Sequence, residues 1–543
     1  MAPGAMACGG GANSSAGAPG QEQGDAAIPL SPLPSAEAPQ DSPGMALPQS
    51  PFRYRAQAAL EVVAEGLLAP GYWALNHLLD LQPTTAERGR QQQQRCGRCC
   101  GCARQAVVAV ACATLLLLWL PLGTLGLLLW LPLQAARRPF AYQYTAGTVP
   151  ARPWDLRQRR TFTFLSANVC LLPSGLAKFS NLGQTPQRAA YIARQLAPAS
   201  PEPAGDHTSL VEAWRGDANS YGGTLGTSGQ DGGSVVVEMP SMVESVSPVL
   251  SEHFPDDADF VCLQEVFDPV ATTILCRHLA GTFPHLLWDV GARGLRHGQL
   301  RVLGSGLLLA SRYPLLAAGY HGFPNGAGED ALAAKGLLLA QVLLGRARGQ
   351  RLVGYLACTH LQAPAADAAI REEQLTLMLR WLRQFRQAEQ RDGDLVAFDV
   401  LCGDLNFDNC SSGDALNQRH QLFQVYQDPC RHAPGQDQPW AIGTLLNYLK
   451  IYEEPVSTPE KMKRTLSQLG GRQQFLAAPI LSSGAPDPAA GADWQGRRVD
   501  YILHRAGTQL RTEAAEVSFI TQLATRSDHL PVALRLRVAP SIP

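Results

Sequence analysis

No lysine or arginine occurs in the first 52 of the 543 residues, and no apolar core follows them there. A secretory signal needs both features, and an arginine-rich transit peptide is equally excluded. Charge is scarce throughout. Asp, Glu, Lys and Arg make up 17% of the chain, against about 25% in an average soluble domain. The 45 basic and 46 acidic residues give a formal net charge of -1, so no whole-chain field draws the protein to nucleic acid. The 13 cysteines do not require disulfides. Cys262, Cys358 and Cys402 each sit alone in an apolar run, where a buried free thiol is the default and a cytosolic, reducing environment is implied. The length allows two to four units at roughly 100–200 residues each.

The amino-terminal quarter is uneven. Residues 1–50 are rich in Ala, Gly, Pro and Ser, without a period, and read as a disordered lead-in. Residues 51–139 read as membrane-associated. A first apolar segment, 56–82, contains Glu61, Glu65, His77 and Asp80 and is interrupted by Pro70-Gly71. Burying those charges in a full span is costly, so an interfacial or re-entrant segment broken at Pro70 is expected. A second, 106–133, holds 28 residues without a charge, whereas a bilayer core needs about 20. Arginines 88, 90, 95, 98 and 104 precede it, and Arg137 and Arg138 follow. Positive charge on both flanks, with Pro121 and Gly123 near the middle, predicts a hairpin that enters and returns to the cytosolic side. Cys96, Cys99, Cys100 and Cys102 lie among those arginines. Their position suits reversible S-palmitoylation; unmodified thiols or a zinc half-site are the alternatives. The arginines would also attract anionic headgroups.

From 160 to 540 the pattern changes to short apolar runs of strand length alternating with helical periods. Strands are expected near 161–165, 260–263, 306–310, 337–344, 352–358, 395–402, 499–503 and 532–538. Helices are expected over 189–196, 270–279 and 366–390, the last with Ile370, Leu375, Met378, Trp381 and Phe385 near one stripe. This is an α/β pattern. Residues 197–250, rich in Gly, Ser, Pro and Asp, interrupt it as a mostly disordered insertion.

Polar residues gather at the ends of these strands. Asn168 follows TFTFLSA, Glu265 follows FVCLQ, His360 follows GYLACT, and Asp404 and Asn406 follow AFDVLCG. Asp500 interrupts RRVDYILH, and Asp528-His529 precede PVAL. Sites in α/β sheets form at strand ends. A carboxylate for a hard cation, a second to activate water, and amide and imidazole donors for phosphoryl oxygens together fit metal-assisted phosphodiester hydrolysis. In that assignment Glu265 is the metal ligand, Asp404 the base, and Asp528 the group that orients His529.

The ordered set Asn168, Gln264-Glu265, Thr359-His360, Gly403-Asp404-Leu405-Asn406, Asp500-Tyr501 and Ser527-Asp528-His529 resembles the endonuclease/exonuclease/phosphatase superfamily. The resemblance implies a four-layer α/β sandwich of the DNase-like kind with a Mg²⁺ site, Mn²⁺ being the substitute ion. It makes Glu265 the main ligand with Asn168 beside it, and gives Asp404, Asn406, His360, Asp528 and His529 the phosphate and the water. Segments such as SANVCLLPSGLAKFSNL, FVCLQEVFD and FITQLATRSDHLPVAL resemble the membrane-anchored neutral sphingomyelinases. That resemblance runs over about 45–540. It implies cleavage of sphingomyelin to ceramide and phosphocholine, activation by anionic lipids such as phosphatidylserine, and an Asp330–Lys335 pair that switches the site. Met45 lies where these proteins usually begin, so 1–44 is an extension or a start-site alternative. The short insertion favours a mitochondrial or endoplasmic reticulum membrane over Golgi or plasma membrane, with the catalytic domain facing the cytosol. The loop at 291–303 contains no cysteine, unlike the family's. Competing readings are an inositol phosphatase or nuclease of the same superfamily and a catalytically weak membrane scaffold. The first lacks its tryptophan-led and DRIL-type motifs here, and the nuclease lacks a basic, aromatic-interleaved surface.

Overall fold

The computed structural model describes residues 47–93, 98–146, 151–197, 246–296, 298–505 and 509–539. The apolar runs form two stacked sheets. The first has eight strands in the spatial order β1 (Ala141–Tyr144), β5 (His285–Trp288), β8 (Leu308–Ser311), β4 (Phe260–Val266), β2 (Arg160–Leu171), β18 (Val532–Ala539), β17 (Arg511–Ile520) and β3 (Ser247–Ser251). The second has six: β13 (Tyr426–Gln427), β16 (Asp500–Arg505), β12 (Leu395–Asp404), β11 (Gln350–His360), β10 (Gly336–Ala347) and β9 (Leu315–Gly322). Two small ribbons, β6–β7 (Gly294–Arg296, Gln299–Arg301) and β14–β15 (Arg431–Ala433, Gln436–Asp437), stand apart.

Side chains alternate across a strand, so each sheet needs cover on both faces. Phe162, Phe164, Phe260, Cys262, Cys358, Phe398 and Cys402 fill the layer between the sheets. The outer face of the first sheet is covered by helices Thr185–Leu196 and Pro269–Leu279. The outer face of the second packs on Ala368–Glu389 through Leu375, Met378 and Leu382. The result is a four-layer α/β/β/α sandwich. Within the expected insertion, Ser247–Ser251 forms an ordered edge strand paired with β17; residues 198–245 lie outside the described residues. At the amino-terminal end Pro48 accepts a hydrogen bond from Tyr142, so the last residues of the expected lead-in, 47–50, are tied down.

Both membrane-region expectations change. Residues Arg55–Asp80 form one helix, α1, that runs through Pro70 without a break. After α2 (Thr85–Gln93), residues Arg98–Ala135 form one helix, α3, continuous through Pro121 and Pro132. At 1.5 Å per residue it is about 57 Å long, so the expected hairpin at Pro121-Gly123 is absent. The physical reason is lateral packing, which outweighs one lost backbone bond. The two helices lie antiparallel, and the Trp119 ring fills the space against Gly71, where any Cβ would overlap it. The Trp119 indole donates to Leu67 O at 2.6 Å, bracing the proline turn. Of the charges that argued against burial, Glu61 is satisfied. It accepts from Gln134 at 2.8 and 2.9 Å and pairs with Arg137 at 3.3 Å. Within α3, Gln105–Ala135 is long and apolar enough to cross a bilayer. The side chains of Cys96, Cys99, Cys100 and Cys102 lie outside the described residues.

The other face of α1 rests on the sandwich. Asn76 Oδ1 accepts from Gly175 N at 2.7 Å, and Asp80 and Glu87 hold Lys178. Arg137 bridges from the helix pair to Asp289.

Candidate active site

Strand direction assembles the site. β2 and β4 run parallel, as do β11 and β12. Asn168, Glu265, His360 and Asp404 therefore emerge at one end. β16 and β18 run antiparallel to their neighbours, so residues that begin or precede them, Asp500, Asp528 and His529, arrive at that same end. The register sets His360 beside Asp404, and Asp404 beside Asp500.

The side chains are in direct contact. Asn168 Nδ2 donates to Glu265 Oε1 at 2.8 Å and to Asp404 Oδ2 at 2.9 Å. Asp404 Oδ1 accepts from the Asn406 amide at 2.9 Å. His360 Nε2 lies 3.6 Å from Asp404 Oδ2 and 4.0 Å from Glu265 Oε1. His529 Nε2 lies 3.9 Å from Asp404 Oδ2. Asp330 and Lys335 meet at 2.8 Å. The Lys335 ammonium also reaches His360 Nε2 at 3.1 Å and Leu361 O at 3.0 Å, so its three protons are committed. All nine residues predicted for the site converge.

One assignment changes. His529 Nδ1 is held by Asp500 Oδ2 at 2.8 Å, not by Asp528, its neighbour in sequence. Asp528 stands at a bend and makes no hydrogen bond to the ring. Asp528 instead acts on Glu265, whose pKa it helps to raise. The clue to Asp500 was an acid inside an otherwise apolar strand, RRVDYILH. Two further residues gave no sequence signal. Arg188 is a buried cation with carbonyl partners: it donates to Val169 O, Cys170 O, Gly183 O and Arg526 O at 2.7–3.2 Å, clamping the turn after Asn168 to the loop before Asp528. Thr444 Oγ1 accepts from Val499 N at 3.0 Å and Asp500 N at 3.1 Å, fixing the start of β16. Glu265 itself has φ 61°, a left-handed conformation rare for such a residue. It is held because Val266 N bonds Gly306 O at 2.9 Å. Gly306 has φ +71° and leaves no room for a Cβ against Phe267.

The electrostatics follow from burial. Burial and the Asp500 charge push Asp404 up to about 7, against His529, Asn168 and the Asn406 amide. Burial, then Asp528, raises Glu265. Burial would lower His529, but Asp500 and Asp404 and the Nδ1 bond overcome it and hold the imidazole well above its ordinary value, as a cation. Burial, then Lys335 and His529, holds His360 well below its ordinary value, as a neutral ring. Asp500 Oδ1 and Asp528 Oδ1 are buried with no hydrogen-bond partner. Glu265, His360 and Asp404, and likewise Asp404, Asp500 and His529, bring their ligand atoms within 4.8 Å of one another. A carboxylate-rich, oxygen-donor cluster with orphaned oxygens fits a divalent hard cation.

A four-layer sandwich with acids, amides and histidines converging at one strand end is that of a phosphodiester hydrolase. A model of the Endonuclease/Exonuclease/phosphatase family matches residues 209–529, and one described as the neutral sphingomyelinase N-terminal transmembrane region matches 56–136. The chain is 38% identical to sphingomyelin phosphodiesterase 5 of Danio rerio over 91% of its own length and 99% of the relative's. It is 41% identical to the Mus musculus protein of that name, over 91% and 95%, and 34% identical to Mus musculus sphingomyelin phosphodiesterase 3, over 91% and 99%. Among solved structures, sphingomyelinase C from Streptomyces griseocarneus aligns at 18% identity with a TM-score of 0.38, over 69% of this chain and 99% of that one. The chain therefore belongs to the neutral sphingomyelinase family, and is a phosphoric-diester hydrolase with a membrane region.

Proposed function

We propose that the protein is a Mg²⁺-dependent sphingomyelin phosphodiesterase that releases phosphocholine and leaves ceramide in the membrane. The observation that carries this reading is the Glu265–Asn168–Asp404 cluster with the His529–Asp500 pair behind it, in a chain whose relatives carry that activity in their names. Glu265, with Asn168 beside it, would hold Mg²⁺, which when bound neutralises charge on the transferring phosphoryl group and leaving oxygen.

The chain's own residues supply the rest. Asp404 Oδ2, oriented by the Asn168 amide, takes the proton of the attacking water; a base titrating near 7 suits neutral pH. The water oxygen bonds to phosphorus as the bond to the ceramide oxygen breaks; that oxygen takes a proton from solvent and leaves as the ceramide hydroxyl, while Asp404 returns its proton to solvent. His529, a cation anchored at Nδ1 by Asp500, presents Nε2 to a phosphoryl oxygen and stabilises the charge that develops there. His360 Nε2 is bonded to Lys335 at 3.1 Å and Asn406 Nδ2 to Leu361 O at 3.0 Å, so each would have to give up that partner to meet a phosphoryl oxygen. Lys335, held by Asp330, reaches the phosphodiester only if it leaves that partner.

Sphingomyelin reaches the site in the plane of a membrane. Because α1 is shared between α3 and the sandwich, the helix pair runs beside the catalytic domain and not away from it. The flanking arginines and the short insertion, not this packing, are what favour the cytosolic face of a mitochondrial or endoplasmic reticulum membrane. Anionic lipids such as phosphatidylserine would activate through Arg88 and Arg90, which are exposed before α3, Arg137 being already paired with Glu61 and Asp289. Palmitoylation of Cys96, Cys99, Cys100 or Cys102 would add a second attachment. The test is phosphocholine release from sphingomyelin in mixed micelles at neutral pH, with Mg²⁺ or EDTA. Release that requires the cation and vanishes in His529→Ala is expected. A folded wild-type protein inactive on sphingomyelin with phosphatidylserine present refutes the reading.

A further inference from the structure

The β6–β7 ribbon has two unlike faces. Leu295 and Leu300 are cross-strand partners, so their side chains share a face. They are 65% and 41% exposed, and Val302 and Leu332 beside them are 43% and 47% exposed. The polar residues between them point back into the protein. Arg296 donates to Gln134 O at 3.0 Å, Gln299 to Gly326 O at 2.9 Å, and Arg301 to Phe323 O. The outward apolar face is therefore not a flexible loop's accident but is fixed by three side-chain bonds on its reverse. Four neighbouring exposed aliphatic side chains, two on the braced ribbon and two beside it, call for a partner.

Three observations identify a lipid surface as that partner. The ribbon is bonded to Gln134 at the carboxyl end of α3, whose Leu117, Leu118 and Leu128 are 75%, 74% and 65% exposed, so the patch continues an apolar surface that already belongs in lipid. No Asp or Glu occurs from 290 to 328, so no carboxylate on this stretch opposes its approach to an anionic lipid surface. The patch also adjoins the site. Val302 N and Leu303 N donate to Leu332 O at 2.9 and 3.0 Å, and Leu332 shares a single 3₁₀ turn, Gly328–Leu332, with Asp330.

We infer that Leu295, Leu300, Val302 and Leu332 form a bilayer-docking surface, separate from the helical anchor, that seats the mouth of the active site on the lipid interface. Seating Leu332 holds the Asp330–Lys335 turn at the depth of the headgroups, where the scissile diester of a membrane lipid lies. The inference rests on the lipid-substrate reading, and specifies how the substrate is reached.

The full chain, reconstituted into phosphatidylcholine/phosphatidylserine/sphingomyelin vesicles, is compared with Leu295→Asp/Leu300→Asp on vesicle sphingomyelin and on water-soluble p-nitrophenyl phosphocholine. Placing two carboxylates where two leucines meet lipid should lower vesicle turnover at least about tenfold and leave the soluble ester within about twofold. Equal losses on both substrates, or none on vesicles, overturn the inference. In parallel, p-benzoylphenylalanine replaces Leu300 or, as a control, Tyr144, which is 56% exposed at the opposite end of the strands. Photolysis should give a lipid adduct at 300 and none at 144. No lipid adduct at 300, an adduct to a second copy of the chain instead, or equal lipid labelling at both positions refutes the docking surface. A wild type inactive on both substrates refutes the functional reading, and the adducts still decide the surface.

Discussion

Asp500→Asn separates the two carboxylates that compete for His529. The change is nearly isosteric and removes the charge that meets Nδ1 at 2.8 Å, where both partners are buried. A hydrogen bond to a charged group contributes about 1.5–3 kcal/mol. Losing it removes the first of the charges that raise the proton affinity of His529 and make it a cation at neutral pH. An asparagine can also present its NH₂ to Nδ1 and reverse the tautomer. General acid–base groups contribute about 10²–10⁴ in rate, or roughly 3–5.5 kcal/mol at 1.36 kcal/mol per tenfold. We expect kcat on sphingomyelin in mixed micelles to fall by about 10²–10⁴ at saturating Mg²⁺, with KM changed less than about threefold. The residual activity should lose its alkaline limb at lower pH than wild type. That direction follows from the sign. The raised His529 is charged below its folded pKa, and removing Asp500 moves the loss of charge to lower pH. Asp528→Asn, measured beside it, should move the alkaline limb the same way but less, because Asp528 is the smaller of the two charges on His529, and weaken metal binding by calorimetry. The reasoning is refuted if Asp500→Asn keeps more than about a third of wild-type kcat, or if Asp528→Asn moves the limb further than Asp500→Asn does.

Thr444→Val keeps the shape but strands the amides of Val499 and Asp500. At about 1–3 kcal/mol for each buried unpaired donor, the melting temperature should drop and kcat fall with it, while Thr444→Ser restores both; equal behaviour of the two variants would remove Thr444 as a positioning residue. Arg188→Met leaves the carbonyls of Val169, Cys170 and Arg526 without their donor. A loss of about 3–5 kcal/mol in denaturant stability is expected, and a loss below about 1 kcal/mol would show that the clamp is not needed. Without metal, stability should rise as pH falls from 8 to 6. Asp404, at about 7 against an ordinary 3.8, destabilises the fold above 7 and less as it protonates. The raised His529 stabilises fully below its ordinary 6.5 and less as pH rises through its folded value. Thermal melts in EDTA check this. A flat or opposite slope, or one unchanged in Asp404→Asn, contradicts the charge balance described here. Mg²⁺ should stabilise most at pH 8.

Much of the sandwich was legible because its information is local. β2, β4, β11 and β12 are apolar runs that end in or lead to a polar site residue, and a strand buried on both faces can be read without knowing its neighbours. The expected runs at 260–263, 352–358 and 395–402 lie within β4, β11 and β12. The strands β1, β3, β5, β9, β13 and β17 lie outside the expected runs: β5 and β13 are four and two residues long, and the others are half-buried, mixed sequences that carry no such pattern. The uncharged stretch 106–133 likewise declared an apolar helix by length alone. Its shape was misread: Pro121 and Pro70 are helix breakers in isolation, and only the partner helix, with Trp119 seated against Gly71, shows that they are tolerated.

The site divides in the same way. Sequence by itself determined which residue types stand at the strand ends, since those residues follow recognisable apolar runs in chain order. Tertiary structure decided which of them touch. Asp528 neighbours His529 in the chain but does not bond its ring, and its charge raises Glu265. Asp500, 29 residues away in sequence, reaches the imidazole because β16 runs antiparallel beside β12. Arg188 and Thr444 show the limit most clearly. An arginine in TPQRAAYIARQL and a threonine in AIGTLL are ordinary until the fold closes around them, because their roles depend on carbonyls and amides brought in from distant strands, and backbone groups have no letter in the sequence.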